Sequence, residues 1–134
     1  MKAITIIEPW ASLIADGKKH IETRPWGTTY RGPIAIHAGL KKLNEYPPEV
    51  VKHAPEVLDM EYYYGHLIAI GELGDSIKMT EDWIASVPEP EYSFGWYAVG
   101  RTGLIIANVR RIEPVLVKGR LGLWEWTEAE GIEF

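Results

Sequence analysis

Apolar positions along the chain fall into short runs of two different periods, broken repeatedly by proline and glycine. Lys2 to Ile7 is β-branched and apolar, which predicts a strand that stops at Glu8-Pro9. Trp10, Leu13 and Ile14 recur at helical spacing behind Pro9, and Gly17 stands where a left-handed C-terminal cap belongs, so a short helix is expected there. Lys19 to Arg24 has strand character and is stopped by Pro25. Gly32 to Ala38 reads as another strand, and Pro47 to His53 as a helix entered through prolines. The strongest strand signal is Tyr62 to Leu73, whose apolar run Leu67-Ile68-Ala69-Ile70 belongs at the centre of a sheet.

The second half continues in the same vocabulary. Lys78 to Glu91 is acidic and turn-rich, an excursion rather than a second domain. Phe94 to Val99 and Gly103 to Ile112 predict strands, and Gly119 to Trp126 forms a glycine-punctuated closing segment in which Trp124 and Trp126 share a packing face. There is no internal repeat and no linker. With 134 residues, 46% of them hydrophobic, one domain spanning 1–134 is expected. Short strands with two or three short helices imply an α+β class whose mostly antiparallel sheet closes as a small β-barrel.

Composition removes several kinds of chemistry. The absence of cysteine excludes disulfides, thiolate nucleophiles and Cys-ligated metal clusters. No apolar stretch approaches the roughly 20 residues of a membrane-spanning helix, and the N-terminus lacks a signal-peptide pattern, so a cytoplasmic protein with no membrane partner is expected. A formal net charge of −5 argues against a polyanionic partner at first sight. Between Gly17 and Leu43, however, the basic residues are Lys18, Lys19, Arg24, Arg31, Lys41 and Lys42, and Glu22 is the only acid. Charge is thus segregated along the sequence, and a local basic surface is expected.

The candidate chemistry sits in that segment. Glu22 and Arg24 share a strand face, with Lys19 near the preceding turn. A carboxylate accepts from a base amino group, arginine binds phosphate through two donors, and lysine adds a point charge or, when buried, proton transfer. Glu72 ends the apolar run in parity with Ile68 and Ile70, which predicts a partly buried carboxylate fit for acid–base work. Trp10 and Trp26 flank the basic segment as candidate stacking rings, and His37 at a strand end is placed to line the same cleft. Lys41-Lys42 and Lys118-Gly119-Arg120 are candidate backbone contacts. The four histidines are dispersed and match no ligand spacing, so neither a metal nor a cofactor is expected.

The octapeptide Gly17-Lys18-Lys19-His20-Ile21-Glu22-Thr23-Arg24 has the form G-x-K-x-x-E-x-R and follows a strand–Pro-Trp–helix unit, Ile4 to Ile14. Together with Gly32 to Ala38, Leu67 to Leu73, Ile112 to Val115 and Lys118 to Trp124, it resembles the ASCH family over nearly the whole chain. The resemblance implies a fold of PUA-like type and a cleft beside the first helix that holds RNA or a modified nucleoside or nucleotide. Some small members deacetylate acetylcytidine with a lysine, a threonine and a glutamate, and at least one other is described as a ribonuclease. Carried over by position, the lysine corresponds to Lys19, the threonine to Glu22 and the glutamate to Glu72. Glu22 in place of threonine departs from the amidohydrolase pattern, and strand alternation turns the neighbouring Thr23 to the opposite face. Three readings therefore stand: a nucleotide-binding module, a hydrolase using Lys19 with Glu22 or Glu72, and a regulatory protein-interaction domain drawing on the acidic remainder.

Overall fold

The computed structural model describes residues 1–127. In chain order they form β1 (Lys2–Ile6), α1 (Trp10–Ala15), β2 (Ile21–Arg24), β3 (Gly32–Ala38), α2 (Pro48–His53), β4 (His66–Lys78), α3 (Glu81–Ala85), β5 (Thr102–Leu116) and β6 (Leu123–Glu125), with 3₁₀ turns at Pro55–Leu58 and Tyr92–Phe94. The six strands make one sheet in the order β2-β5-β4-β3-β1-β6. Only the β1–β3 pair is parallel; the others are antiparallel.

The long β4–β5 hairpin gives the sheet its curl. Its pairing slips three times, between Leu67 and Ala69, Ile70 and Glu72, and Leu73 and Asp75, and each bulge adds twist. Asn108, in β5, adopts a positive φ of 53°, a left-handed conformation that asparagine tolerates better than most residues. The result is a curled half-barrel with β2 and β6 as its edges, so the expected closure is only partial. Beyond Ile4, where pairing with β6 ends, the Thr5 carbonyl instead accepts a hydrogen bond from Arg24 Nη2 at 2.8 Å, which ties β1 to β2.

Helix α1 is short, and both its ends are specified locally. The buried Glu8 carboxylate accepts from the Ser12 amide at 2.7 Å and from the Ser12 hydroxyl at 2.6 Å. At the other end Gly17 takes φ +75°, its amide donates to Ile14, and the Lys18 amide donates to Leu13, the paired bonds of a Schellman cap. That turn aims the chain straight into β2. Alternation divides the core in two: Ile4, Ile34 and Ile36 pack with Ile14, Leu104 and Ile106, whereas Ala3 and Ala35 pack with Leu67, Trp124 and Trp126 on the other face. Each buried isoleucine or leucine among them contributes about 1.5–3 kcal/mol by leaving water. A third cluster joins Leu13 and Phe94 to Val50 and Val57 and fixes α2 against α1.

Two strand expectations change. β4 starts at His66 rather than Tyr62, after the left-handed Gly65, and runs on to Lys78 because β5 pairs with it throughout. Phe94 to Val99 is not a strand: Phe94 is drawn down into the α1–α2 cluster, and Gly95 sits so close to Thr23 that a Cβ there would lie 2.9 Å from its methyl group.

Candidate functional site

A cleft of about 620 Å³ opens between α1, the free edge of β2 and the segment 93–96. Trp10, Glu22 and Arg24 line it, as expected, together with Thr5, Thr23, Ser93, Phe94, Trp96 and Arg101. Thr23 faces this cleft despite strand alternation. Segment 93–96 wraps the unpaired edge of β2, and the Thr23 hydroxyl accepts from the Trp96 amide at 3.0 Å.

Lys19 lies beneath the lining rather than in it. The side chain is fully buried, and its ammonium donates to the carbonyls of Ile21 and Phe94, the latter at 3.0 Å, with Glu22 Oε1 at 3.8 Å. Burial holds its pKa below the ordinary lysine value, while the charges of Glu22 and Glu91 oppose that shift. Glu22 in turn accepts from Arg24 Nε at 2.9 Å. The three residues form a row: buried cation, carboxylate, and a guanidinium at the cleft surface. Glu91, also buried, accepts from the His20 and Ile21 amides at 2.8 and 3.2 Å and so satisfies donors at the start of an edge strand.

Most of the basic segment does not become a basic surface. Lys18 pairs with Glu56, Arg31 with Asp75, and Lys19 and Arg24 share Glu22. The cleft itself carries Arg24 and Arg101 against Glu22, an excess of a single positive charge. Lys41 and Lys42 are exposed, and the Lys42 ammonium lies 5.0 Å from the Tyr64 ring centroid.

Three further expected site residues fall elsewhere. Trp26 packs on the main core with the Arg24 guanidinium 5.8 Å from its ring, so it supports the arginine from behind instead of lining the cleft. His37 belongs to a separate groove of about 710 Å³ with Leu40, Leu116 and Leu121. There Nε2 donates to the Val117 carbonyl at 2.7 Å and Nδ1 meets the Thr5 hydroxyl at 3.1 Å. Glu72 is exposed, accepts from Asn108 at 3.1 Å, and borders a small depression with Pro33 and Arg110. The bulges in β4 explain the miss: Ile68 and Ile70 pack in different clusters, so parity with them does not bury Glu72. Among the described residues, no group of three or more His, Asp or Glu is arranged to hold a metal ion.

The sequence did not single out Trp96 and Arg101. Arg101 lies with its guanidinium carbon 4.1 Å from the Trp96 ring centroid, donates through Nε to the Trp96 carbonyl at 2.9 Å, and through Nη2 to the Thr23 carbonyl at 3.2 Å. The available signal was a tryptophan beside a glycine in a turn-rich tract, a setting more compatible with a loop tip than with the strand expected there.

A curled, mostly antiparallel sheet with three short helices is an α+β fold of the PUA-like kind. A family model for the ASCH domain matches residues 4–116, and the chain belongs to that family. ASCH domains are PUA-like folds often linked to RNA binding. The chain is also similar to the crystal structure of ASCH from Zymomonas mobilis, with 16% sequence identity and a TM-score of 0.58 over 95% of this chain and 88% of that one, a likeness of fold. Among curated proteins nothing matches. No helix among the described residues is long and apolar enough to cross a membrane.

Proposed function

We propose that the cleft between α1 and β2 binds RNA or a modified nucleoside or nucleotide. The observation that carries this reading is the Glu22–Arg24 pair set in a concave, aromatic-walled site: a carboxylate and a guanidinium, 2.9 Å apart, beside Trp10. Glu22 accepts from the exocyclic amino group of a base, Arg24 turns a donor to phosphate, and Trp10 offers a ring face. Lys19 acts through Glu22, fixing the carboxylate from below and tying the Phe94 carbonyl to β2. The family's link to RNA binding supports the same reading. Titration of intrinsic tryptophan fluorescence with short single-stranded RNAs at low salt tests it. Saturable binding that weakens as salt rises, and at least tenfold in Arg24→Ala, is expected; no saturable signal would end the proposal.

One observation favours a second, hydrolytic reading. A lysine whose pKa is lowered by burial, 3.8 Å from a carboxylate, is equipped for proton transfer. Glu22 is then its partner, since Glu72 lies outside the cleft. Acetylcytidine and RNA are the substrates to incubate. Product formed by the wild type and lost in Lys19→Ala supports turnover, and equal yields from both remove it.

A further inference from the structure

Isolated exposed apolar side chains are ordinary, but Trp96 is both exposed, at 68%, and immobilised. Its amide is bound by the Thr23 hydroxyl and its carbonyl by Arg101 Nε, while the same guanidinium lies 4.1 Å from the ring centroid and bonds to Thr23 through Nη2. Arg101 therefore covers one face of the indole and anchors the residue to β2, and the other face is left to solvent. Tyr92, 45% exposed on the preceding 3₁₀ turn, is held in a similar way, stacked on Tyr97 with ring centroids 5.3 Å apart and planes 21° apart. The rim at segment 92–97 thus carries two exposed, oriented rings, of which Trp96 also lines the cleft.

A free nucleoside seated against Glu22, Arg24 and Trp10 gives Trp96 no second base to cover. We infer that the ligand is a single-stranded oligonucleotide of at least two nucleotides, one held in the cleft and its neighbour stacked on Trp96, with Arg101 as the cation behind the platform. This rests on the nucleotide-binding reading of the cleft and narrows it. An aromatic face accepts any base, so the platform adds affinity without adding sequence preference. Fixing the ring before the ligand arrives removes part of the ordering cost of binding.

The test uses anisotropy of a fluorescein-labelled six-nucleotide RNA of mixed sequence, displaced by the unlabelled hexamer or by each of the four nucleoside 5′-monophosphates. In the wild type the hexamer is expected to compete better than any monophosphate. Trp96→Ala should weaken the hexamer at least about fivefold and by clearly more than it weakens any monophosphate, while Trp96→Phe restores most of the loss. Circular dichroism of the variants checks that the fold is kept, as an exposed position allows. If hexamer and monophosphates bind equally well, or Trp96→Ala weakens both alike or neither, the platform is wrong and the cleft reading survives. If neither the hexamer nor any monophosphate binds, both are overturned.

Discussion

Two concavities among the described residues share a wall and differ in their chemistry. Thr5 separates them: its carbonyl accepts Arg24 at the cleft, and its hydroxyl meets His37 and the Trp124 indole at the groove. The groove is the larger, about 710 Å³ against 620 Å³, and its rim carries Leu40, Leu116 and Leu121, the last 98% exposed. Its buried polar side chain, His37, spends one ring nitrogen on a backbone carbonyl and directs the other to a neighbouring hydroxyl. In the cleft Glu22 and Arg24 are charged and paired with each other at the lining, so a ligand exchanges one partner for another without stranding a group. Size and apolarity alone favour the groove; the disposition of partly satisfied charges is what makes the cleft the proposed binding site.

That contrast breaks most sharply at Lys19. Lys19→Met leaves two carbonyls without their buried donor and Glu22 without its inner cation, so a loss of about 3 kcal/mol is expected, read as a fall in the urea midpoint with unchanged slope. A loss under about 1 kcal/mol would remove the strut role assigned to the lysine. His37→Ala comes next: two hydrogen bonds and an edge contact with Trp124, centroids 5.6 Å apart, disappear, for about 2 kcal/mol of stability. Its RNA affinity should equal that of the wild type, and a parallel loss of affinity would mean the groove takes part in binding. The smallest effect concerns Glu8, behind the cleft's helix. Burial raises its carboxyl above the ordinary value, so the folded state holds the proton more tightly than the unfolded chain. Its stabilising contribution is present below the unfolded value near pH 4.5 and is lost as pH rises through the folded one. Stability curves of Glu8→Gln and wild type should therefore separate in favour of the variant as pH increases through that window; parallel curves would show that Glu8 titrates normally.

What could be read from the chain alone follows the range of the interaction involved. β1, β3, α1 and the Gly17 cap are written in neighbouring residues, through β-branching, Pro9 and a glycine at C′, and they fall where the pattern puts them. Glu22 and Arg24 were legible for the same reason, since a two-residue spacing on a strand is local. Glu72 and His37 were misplaced because their positions depend on bulges in β4 and on the curl that puts two grooves on either side of Thr5. Trp96 and Arg101 escaped notice altogether: the stack joins a loop to the residue just before a strand, and the Thr23 contacts that hold it cross more than 70 positions of sequence.

The neutralisation of most of the basic segment also bears on how quickly the proposed ligand would arrive. Four of the segment's six basic residues, Lys18, Lys19, Arg24 and Arg31, each face a carboxylate, Lys41 and Lys42 stay exposed, and the chain as a whole carries −5, so a polyanion approaching the proposed site meets little net long-range attraction. Encounter then proceeds at the unsteered rate of about 10⁵–10⁶ M⁻¹s⁻¹, and the two arginines of the cleft act only within a Debye length, about 8 Å at physiological ionic strength. For such a ligand, added salt shortens the residence time far more than it slows the arrival.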